Sequence, residues 1–243
     1  MYPYIHVVIP SYQALAATGA FVIIWYMFFR LEKEGIPFPV FLKLLILCVL
    51  GGLTGSKILF AITRIPWLIS NFSMRNLLML LPESGFVFYG GLFGIIFVLL
   101  FMTRKDHVMR ERVFSLCTPA MPLFHAFGRI GCFMAGCCYG ITLSDPVTIG
   151  PFYIIQIPVQ LIEALAEFIL FGILFFVSRK VKGMKLLWVY LVSYAVIRFG
   201  DEFLRGDQIR GIFFGISTAQ WISLIILVSF LGKKLLMKRK PST

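Results

Sequence analysis

Read for runs of apolar residues, the chain alternates long hydrophobic segments with short polar connections. A bilayer crossing takes about 20 apolar residues, and seven segments reach that length: residues 12–30, 40–63, 86–103, 113–138, 157–178, 186–204 and 217–236. Helices are predicted for all seven, because a strand edge facing lipid leaves its backbone groups unsatisfied. Pro119 and Pro122 fall inside the fourth segment and predict a kink or interruption there. Between the second and third lies RIPWLISNFSMRNLLMLLPESG, residues 64–85, with apolar residues at helical spacing and Trp67 at interface depth. It is too polar to cross, and its pattern predicts an amphipathic arm on the outer surface. No internal repeat, low-complexity tract or linker interrupts the pattern. The expected fold class is all-α, a polytopic membrane protein with seven transmembrane helices in one domain over residues 1–243.

Composition agrees with the pattern. With 59% hydrophobic and 14% charged residues, the chain carries more apolar surface than a soluble domain buries. The opening MYPYIHVVIPS has neither a basic start nor a small-residue cleavage site, so no cleaved leader is expected.

The charges then set the direction. Of 23 basic residues, sixteen fall on one side of the spans: Arg30, Lys33 and Lys43; Arg104, Lys105, Arg110 and Arg112; Arg179, Lys180, Lys182 and Lys185; and Lys233, Lys234, Lys238, Arg239 and Lys240. The other side has Arg64, Arg75, Arg205 and Arg210, while Lys57, Arg129 and Arg198 lie within spans. Lys and Arg favour the cytoplasm, which places the N-terminus outside and the C-terminus in the cytoplasm. Topology and attraction to anionic membrane lipids account for the net charge of +12, and no nucleic-acid partner is expected.

Polar groups inside the spans are the informative residues. With the direction set, Tyr12, Lys57, Tyr89, Arg129, Gln160, Glu163, Arg198, Asp201 and Glu202 all fall toward the outer ends of their spans, and His125 and Glu167 lie about a turn deeper. A charge at bilayer depth costs on the order of 3 kcal/mol and ordinarily faces a cavity or a partner. One reading is structural: Arg198 pairs with Glu202 at i and i+4, and Arg129 pairs with Glu163. The other is an anion site, because cations near the outer surface run against the charge bias and suit the phosphate of a phospholipid headgroup.

The stretch GRIGCFMAGCCYG, residues 128–140, resembles the glycine-arginine motif of the prolipoprotein diacylglyceryl transferases, with Arg129, Gly131, Phe133, Gly136 and Gly140 in matching places. Further matches follow through nearly all the spans: the glycine pair at 90 and 91 after two aromatics, PVQLIE at 158–163, IRFGDEFLRGD at 197–207, and Tyr12 at the start of the first span. The resemblance implies seven spans with an outer N-terminus in a bacterial plasma membrane. It also implies transfer of the diacylglyceryl group of phosphatidylglycerol to the thiol of a prolipoprotein's lipobox cysteine, or of another thiol acceptor. Arg129 would hold the phosphate, assisted by Arg198 or Arg205, with Glu163 and Glu202 orienting the guanidinium groups; Tyr12 and Gln160 join the substrate site.

The chain departs from that pattern at chemically important places. Tyr89 stands where the family has a histidine before the glycine pair, Cys132 and Ala135 where it has asparagines, and Cys137 where it has a glutamate. Thr54 replaces a basic residue, with Lys57 one turn later, and Ile157 replaces a histidine before proline; the stretch between the arginine motif and PVQLIE is also shorter. A thiol near pKa 8.5 needs a base at neutral pH. His125, four residues before Arg129, is the expected replacement, with Tyr89 donating a hydrogen bond to phosphate. The other reading of His125 is a packed bundle histidine.

Cys48 and Cys117 read as core residues, whereas Cys132, Cys137 and Cys138 cluster at the outer end of the fourth span. A disulfide from Cys132, covalent use of one thiol, or a metal shared with His125 are the chemistries open to that cluster. Its spacing matches no paired-cysteine ligand motif, so neither a metal nor a cofactor is expected. The rival function is a membrane protein built on the transferase fold that binds lipid or a partner, or uses its own cysteines, without the family reaction.

Overall fold

The computed structural model describes residues 4–5, 9–71, 73, 87–149, 152–206 and 212–239. Its helices are α1 (Ser11–Leu31), α2 (Phe38–Ser70), α3 (Phe88–Met102), α4 (His107–Cys117), α5 (Ala120–Ala135), α6 (Val159–Val177), α7 (Gly183–Asp201) and α8 (Thr218–Arg239). Four are long and apolar enough to cross a membrane over Ser11–Leu31, Phe38–Ile65, Val159–Val177 and Thr218–Leu236, and Phe88–Met102 is a shorter apolar helix. This is a helical membrane protein.

The fourth predicted span is two helices. α4 ends at Cys117 and α5 begins at Ala120, because Pro119 has no N–H to continue the ladder and its ring crowds the preceding turn. Pro122 is accommodated near the start of α5, where an N–H would have no helical partner. Residues 64–70 of the expected amphipathic arm continue α2; the Trp67 side chain and residues 72 and 74–85 lie outside the described residues.

The helical pattern does not announce three small antiparallel strand pairs, Tyr4–Ile5 with Ile9–Pro10, Thr142–Ile149 with Phe152–Gln156, and Ile212–Phe213 with Ile216–Ser217. The middle hairpin pairs Val147 with Ile154 and Thr148 with Tyr153, with an irregularity between Thr142 and Val147. Its β-branched and aromatic residues suit a pleated surface.

The chain divides into two compact units, Met1–Glu34 with Phe114–Thr243, and Gly35–Val113. In the smaller unit α2 and α3 meet backbone to backbone. A methyl group on Gly94 would collide with the Gly51 carbonyl, and one on Gly55 with the Gly90 carbonyl. Small residues let helices approach this closely where lipid offers no hydrophobic force to press them together.

In the larger unit α5 packs against α1 and α6, α6 against α7, and α7 against α8. Added side-chain atoms at Gly19 would meet Phe127, and a Cβ on Gly131 would stand 3.1 Å from the Tyr12 ring. α6 shows how these helices are turned: Leu165, Ile169 and Phe176 are exposed, while Gln160, Glu163 and Glu167 are buried beside Ala164, Leu170 and Leu174. Polar inside and apolar outside reverses the soluble pattern, as expected for a helix whose outer face meets lipid.

Gly94→Ala should lower the thermal midpoint of the detergent-solubilised protein, since overpacking a close contact costs about 1–3 kcal/mol. Gly172→Ala, whose added methyl meets nothing within 4 Å, should leave it unchanged or raise it. Equal effects at the two positions would show that the glycine contact between α2 and α3 does not set their packing.

Candidate functional site

The buried face of α6 carries Gln160, Glu163 and Glu167 at intervals of three and four residues, so they lie in one stripe. α5 brings His125 and Arg129 to that stripe, and α7 brings Arg198, followed by Asp201 and Glu202 at its end. These seven charged or titratable side chains are all buried.

Glu163 is the junction. Its Oε2 lies 2.7 Å from Arg129 Nε in an ion pair and accepts from Arg198 Nη1 at 3.2 Å. Arg198 Nη2 reaches Glu202 Oε1 at 2.5 Å, and Arg205 Nη1 reaches the same oxygen at 3.2 Å. The ion pairs thus run Arg129, Glu163, Arg198, Glu202, Arg205, three guanidinium groups held by two carboxylates. Arg129 Nη2 is buried with no hydrogen-bond partner among the described residues. A guanidinium N–H without a partner at this depth is suited to an anionic oxygen.

His125 stands beside this chain of ion pairs. Its Nδ1 lies 3.1 Å from Glu167 Oε1, its Nε2 lies 3.7 Å from Glu163 Oε1, and Tyr194 meets the imidazole edge to face with centroids 5.5 Å apart. Glu167 Oε2 and Asp201 Oδ2 have no hydrogen-bond partner among the described residues.

The segment after α5 closes one side. Gly136 ends the helix in the left-handed conformation (φ 76°), its N–H reaching the carbonyls of the last turn. Gln160 Nε2 donates to the Cys137 carbonyl at 2.6 Å. Beyond it Gly140 N–H donates to Ile157 O at 3.0 Å, Ile141 N–H to Leu204 O at 3.0 Å, and Gly206 N–H to Tyr139 O at 3.1 Å. These bonds tie the loop to the start of α6 and to the segment that carries Arg205. A Cβ on Gly140 would lie 2.5 Å from Ile157 O, and one on Gly206 2.5 Å from Gly140 O, so neither position has room for a side chain.

The larger unit therefore gathers Tyr12, His125, Arg129, Gln160, Glu163, Arg198, Glu202 and Arg205, together with Cys132, Cys137 and Cys138. Arg129 with Glu163 and Arg198 with Glu202 pair as the sequence suggests. Gln160 spends its amide on the loop carbonyl, and Tyr12 lies against Gly131, two residues past Arg129. Tyr89 belongs to the smaller unit, where it is buried in α3 and stacked on Phe93 at 5.9 Å. Sequence reasoning passed over Tyr194 and Tyr190, which stack at 5.9 Å. The signal was present: Tyr190, Tyr194, Arg198 and Glu202 recur every four residues along one face of α7.

With this geometry in hand, the comparisons with known proteins become specific. The sequence profile of the prolipoprotein diacylglyceryl transferases matches residues 3–233, running through both units. A phosphatidylglycerol–prolipoprotein diacylglyceryl transferase of Clostridium tetani is 34% identical over 227 residues, covering 90% of this chain and 89% of its own. Proteins of the same name from Clostridium perfringens, its second such enzyme, and from Polynucleobacter asymbioticus are 32% identical over 193 residues and 31% over 204. They cover 75% and 80% of this chain, and 73% and 76% of their own lengths, respectively. This chain belongs to the prolipoprotein diacylglyceryl transferase family.

Proposed function

We propose that this protein is a phosphatidylglycerol:prolipoprotein diacylglyceryl transferase of a bacterial plasma membrane, moving the diacylglyceryl group of phosphatidylglycerol to a cysteine thiol. Its family and the names of its relatives support the reaction, and one observation supports the placing of the site. Arg129 forms an ion pair with Glu163, its Nε 2.7 Å from Oε2, while neither Nε nor its buried Nη2 has a hydrogen-bond partner among the described residues. An arginine fixed on one edge and open on another is arranged to receive a phosphate.

In this reading seven helical spans cross the membrane as one domain, with the N-terminus outside and the site toward the outer leaflet. There phosphatidylglycerol enters from the lipid and a secreted precursor presents its cysteine. The unpartnered N–H of Arg129 meets the phosphate oxygens. The thiolate attacks the glyceryl carbon that bears the phosphate, the C–S bond forms as the C–O bond breaks, and the electron pair leaves with glycerol phosphate. Preorganised cations aimed at the leaving oxygens favour that charge distribution over the ground state. Arg198 and Arg205 extend the phosphate site, Glu163 and Glu202 orient the guanidinium groups, and Tyr12 and Gln160 contribute to substrate binding.

His125 serves as the base. With its Nδ1–H assigned as donor to Glu167, Nε2 carries the lone pair and takes the thiol proton. The thiol acceptor need not bring its own base.

Two measurements test the assignment, both using labelled phosphatidylglycerol and a lipobox peptide in proteoliposomes. Arg129→Lys keeps the charge but loses the guanidinium fork, and should lower kcat/KM by roughly a hundredfold; activity near that of the unmodified protein would mean that Arg129 is only a structural anchor. If the unmodified protein itself forms no thioether, the reading as a lipid-binding relative without the reaction takes its place.

His125→Gln preserves much of the side chain's volume and should abolish turnover at normal expression and unchanged phosphatidylglycerol binding. Full turnover in that variant would leave His125 as a packed histidine and return the search for a base to other residues.

A further inference from the structure

Three of the chain's five cysteines converge. Cys132 is on the last turn of α5, and Cys137 and Cys138 follow the Gly136 cap. The cap turns the chain back, so that Cys137 N–H donates to Cys132 O at 3.1 Å and Cys137 Sγ lies 3.7 Å from the same oxygen. Cys138 is itself in the left-handed region, at φ 57°. A residue with a Cβ is disfavoured there, and glycine or asparagine would serve a plain turn better. The Gln160 bond to the Cys137 carbonyl and the Gly206 bond to the Tyr139 carbonyl hold the strained loop in place. As a result the three Sγ atoms lie within 4.8 Å of one another.

Core packing does not account for this group, because Cys137 is exposed and Cys132 and Cys138 are half-buried. A disulfide would use two sulfurs and leave the third. Strained backbone that persists at one point is commonly there to position a side chain, and here it completes a set of three soft donors.

We propose that Cys132, Cys137 and Cys138 form a three-thiolate site for a thiophilic d10 cation, zinc(II) or copper(I). An ion about 2.3 Å from each sulfur needs sulfurs roughly 4 Å apart, so closure takes a shift of an ångström or less. Binding exchanges three thiol protons for three metal–sulfur bonds and involves no change of oxidation state. Copper(I) accepts three thiolates as a complete trigonal set. Zinc takes a fourth ligand, and that position is open to water or to a thiol from outside the chain. In either case the ion links the end of α5 to the loop after Gly136, one turn beyond Arg129, and stiffens that border of the anion site. The inference stands apart from the transferase reading, since it concerns binding of the ion alone.

The test uses the full-length protein in detergent, reduced and stripped by a chelator, then titrated with zinc(II) or, without oxygen, with copper(I) against a chromogenic competitor. The unmodified protein should take up about one ion per chain. Bound metal should shield Cys132, Cys137 and Cys138 from alkylation, mapped by peptide mass, while Cys48 and Cys117 react as before. Cys132→Ser combined with Cys138→Ser should remove the uptake, and Cys48→Ser combined with Cys117→Ser should retain it. Shielding is read on the unmodified chain, so it decides the matter even if a variant does not fold. No stoichiometric uptake by the reduced protein, shielding of other residues, or undiminished uptake by Cys132→Ser/Cys138→Ser would overturn the site. So would a disulfide within the cluster whose reduction leaves the metal unbound. None of these readouts needs a lipid or peptide substrate, so thioether formation can fail while metal binding succeeds, and the reverse.

Discussion

The architecture of the larger unit depends on the Glu163 carboxylate. Its Oε2 is shared by Arg129 of α5 and Arg198 of α7, and its Oε1 faces His125. Three helices therefore meet at one side chain that is almost entirely buried. Burying a carboxylate alone is prohibitive, and burying it with a single partner rarely repays the desolvation. Two guanidinium groups sharing one carboxylate change that balance. The converse also holds: without Glu163, two arginines would be left facing each other in a low-dielectric interior, a loss of about 3–5 kcal/mol for a broken buried pair. The bundle and the site are thus held by the same atoms.

The helices present this centre because their patterning is reversed relative to a soluble bundle. α6 turns Leu165, Ile169 and Phe176 outward and keeps its carboxylates inside. α7 lines its inner face with Tyr190, Tyr194 and Arg198, and the edge of Tyr194 against His125 fixes the imidazole between Glu163 and Glu167. The loop after α5 completes the surround through backbone hydrogen bonds and the Gln160 amide, with glycines at 136, 140 and 206.

Much of this is legible in the sequence, for identifiable reasons. Apolar length gives the spans at 12–30, 40–63, 157–178 and 217–236, which correspond to the four long apolar helices. The high cost of buried charge gives the pairs of Arg129 with Glu163 and of Arg198 with Glu202, because few other partners exist at that depth. Proline chemistry foretells the break at Pro119, though hydropathy alone joins the two sides of it. The hairpin over Thr142–Gln156 is harder to read: its short alternating run is outweighed by neighbouring helical periodicity. The sequence groups Cys132, Cys137 and Cys138 at the outer end of the fourth span, but the close approach of their sulfurs is not legible in it. That approach depends on a left-handed backbone at Cys138, which residue identity disfavours and only the surrounding hydrogen bonds enforce. The tyrosines of α7 are regular in spacing, but an aromatic every fourth residue reads first as core.

The pattern of incomplete hydrogen bonding carries the chemical sense of the site one step further. Arg129 Nη2, Glu167 Oε2 and Asp201 Oδ2 are buried and without partners among the described residues, although every one of those side chains belongs to the same cluster. In a low-dielectric surround such atoms are costly, and a fully closed structural network would have satisfied them. A donor on one side and acceptor oxygens on the other match a reaction that brings an anion and a proton together. On the transferase reading, phosphate oxygens meet the arginine as a thiol gives up its proton toward the imidazole and its carboxylates. Glu163 and Glu202 then have a purpose: they hold the three arginines in position, and the N–H of Arg129 that remains without a partner is left for the substrate.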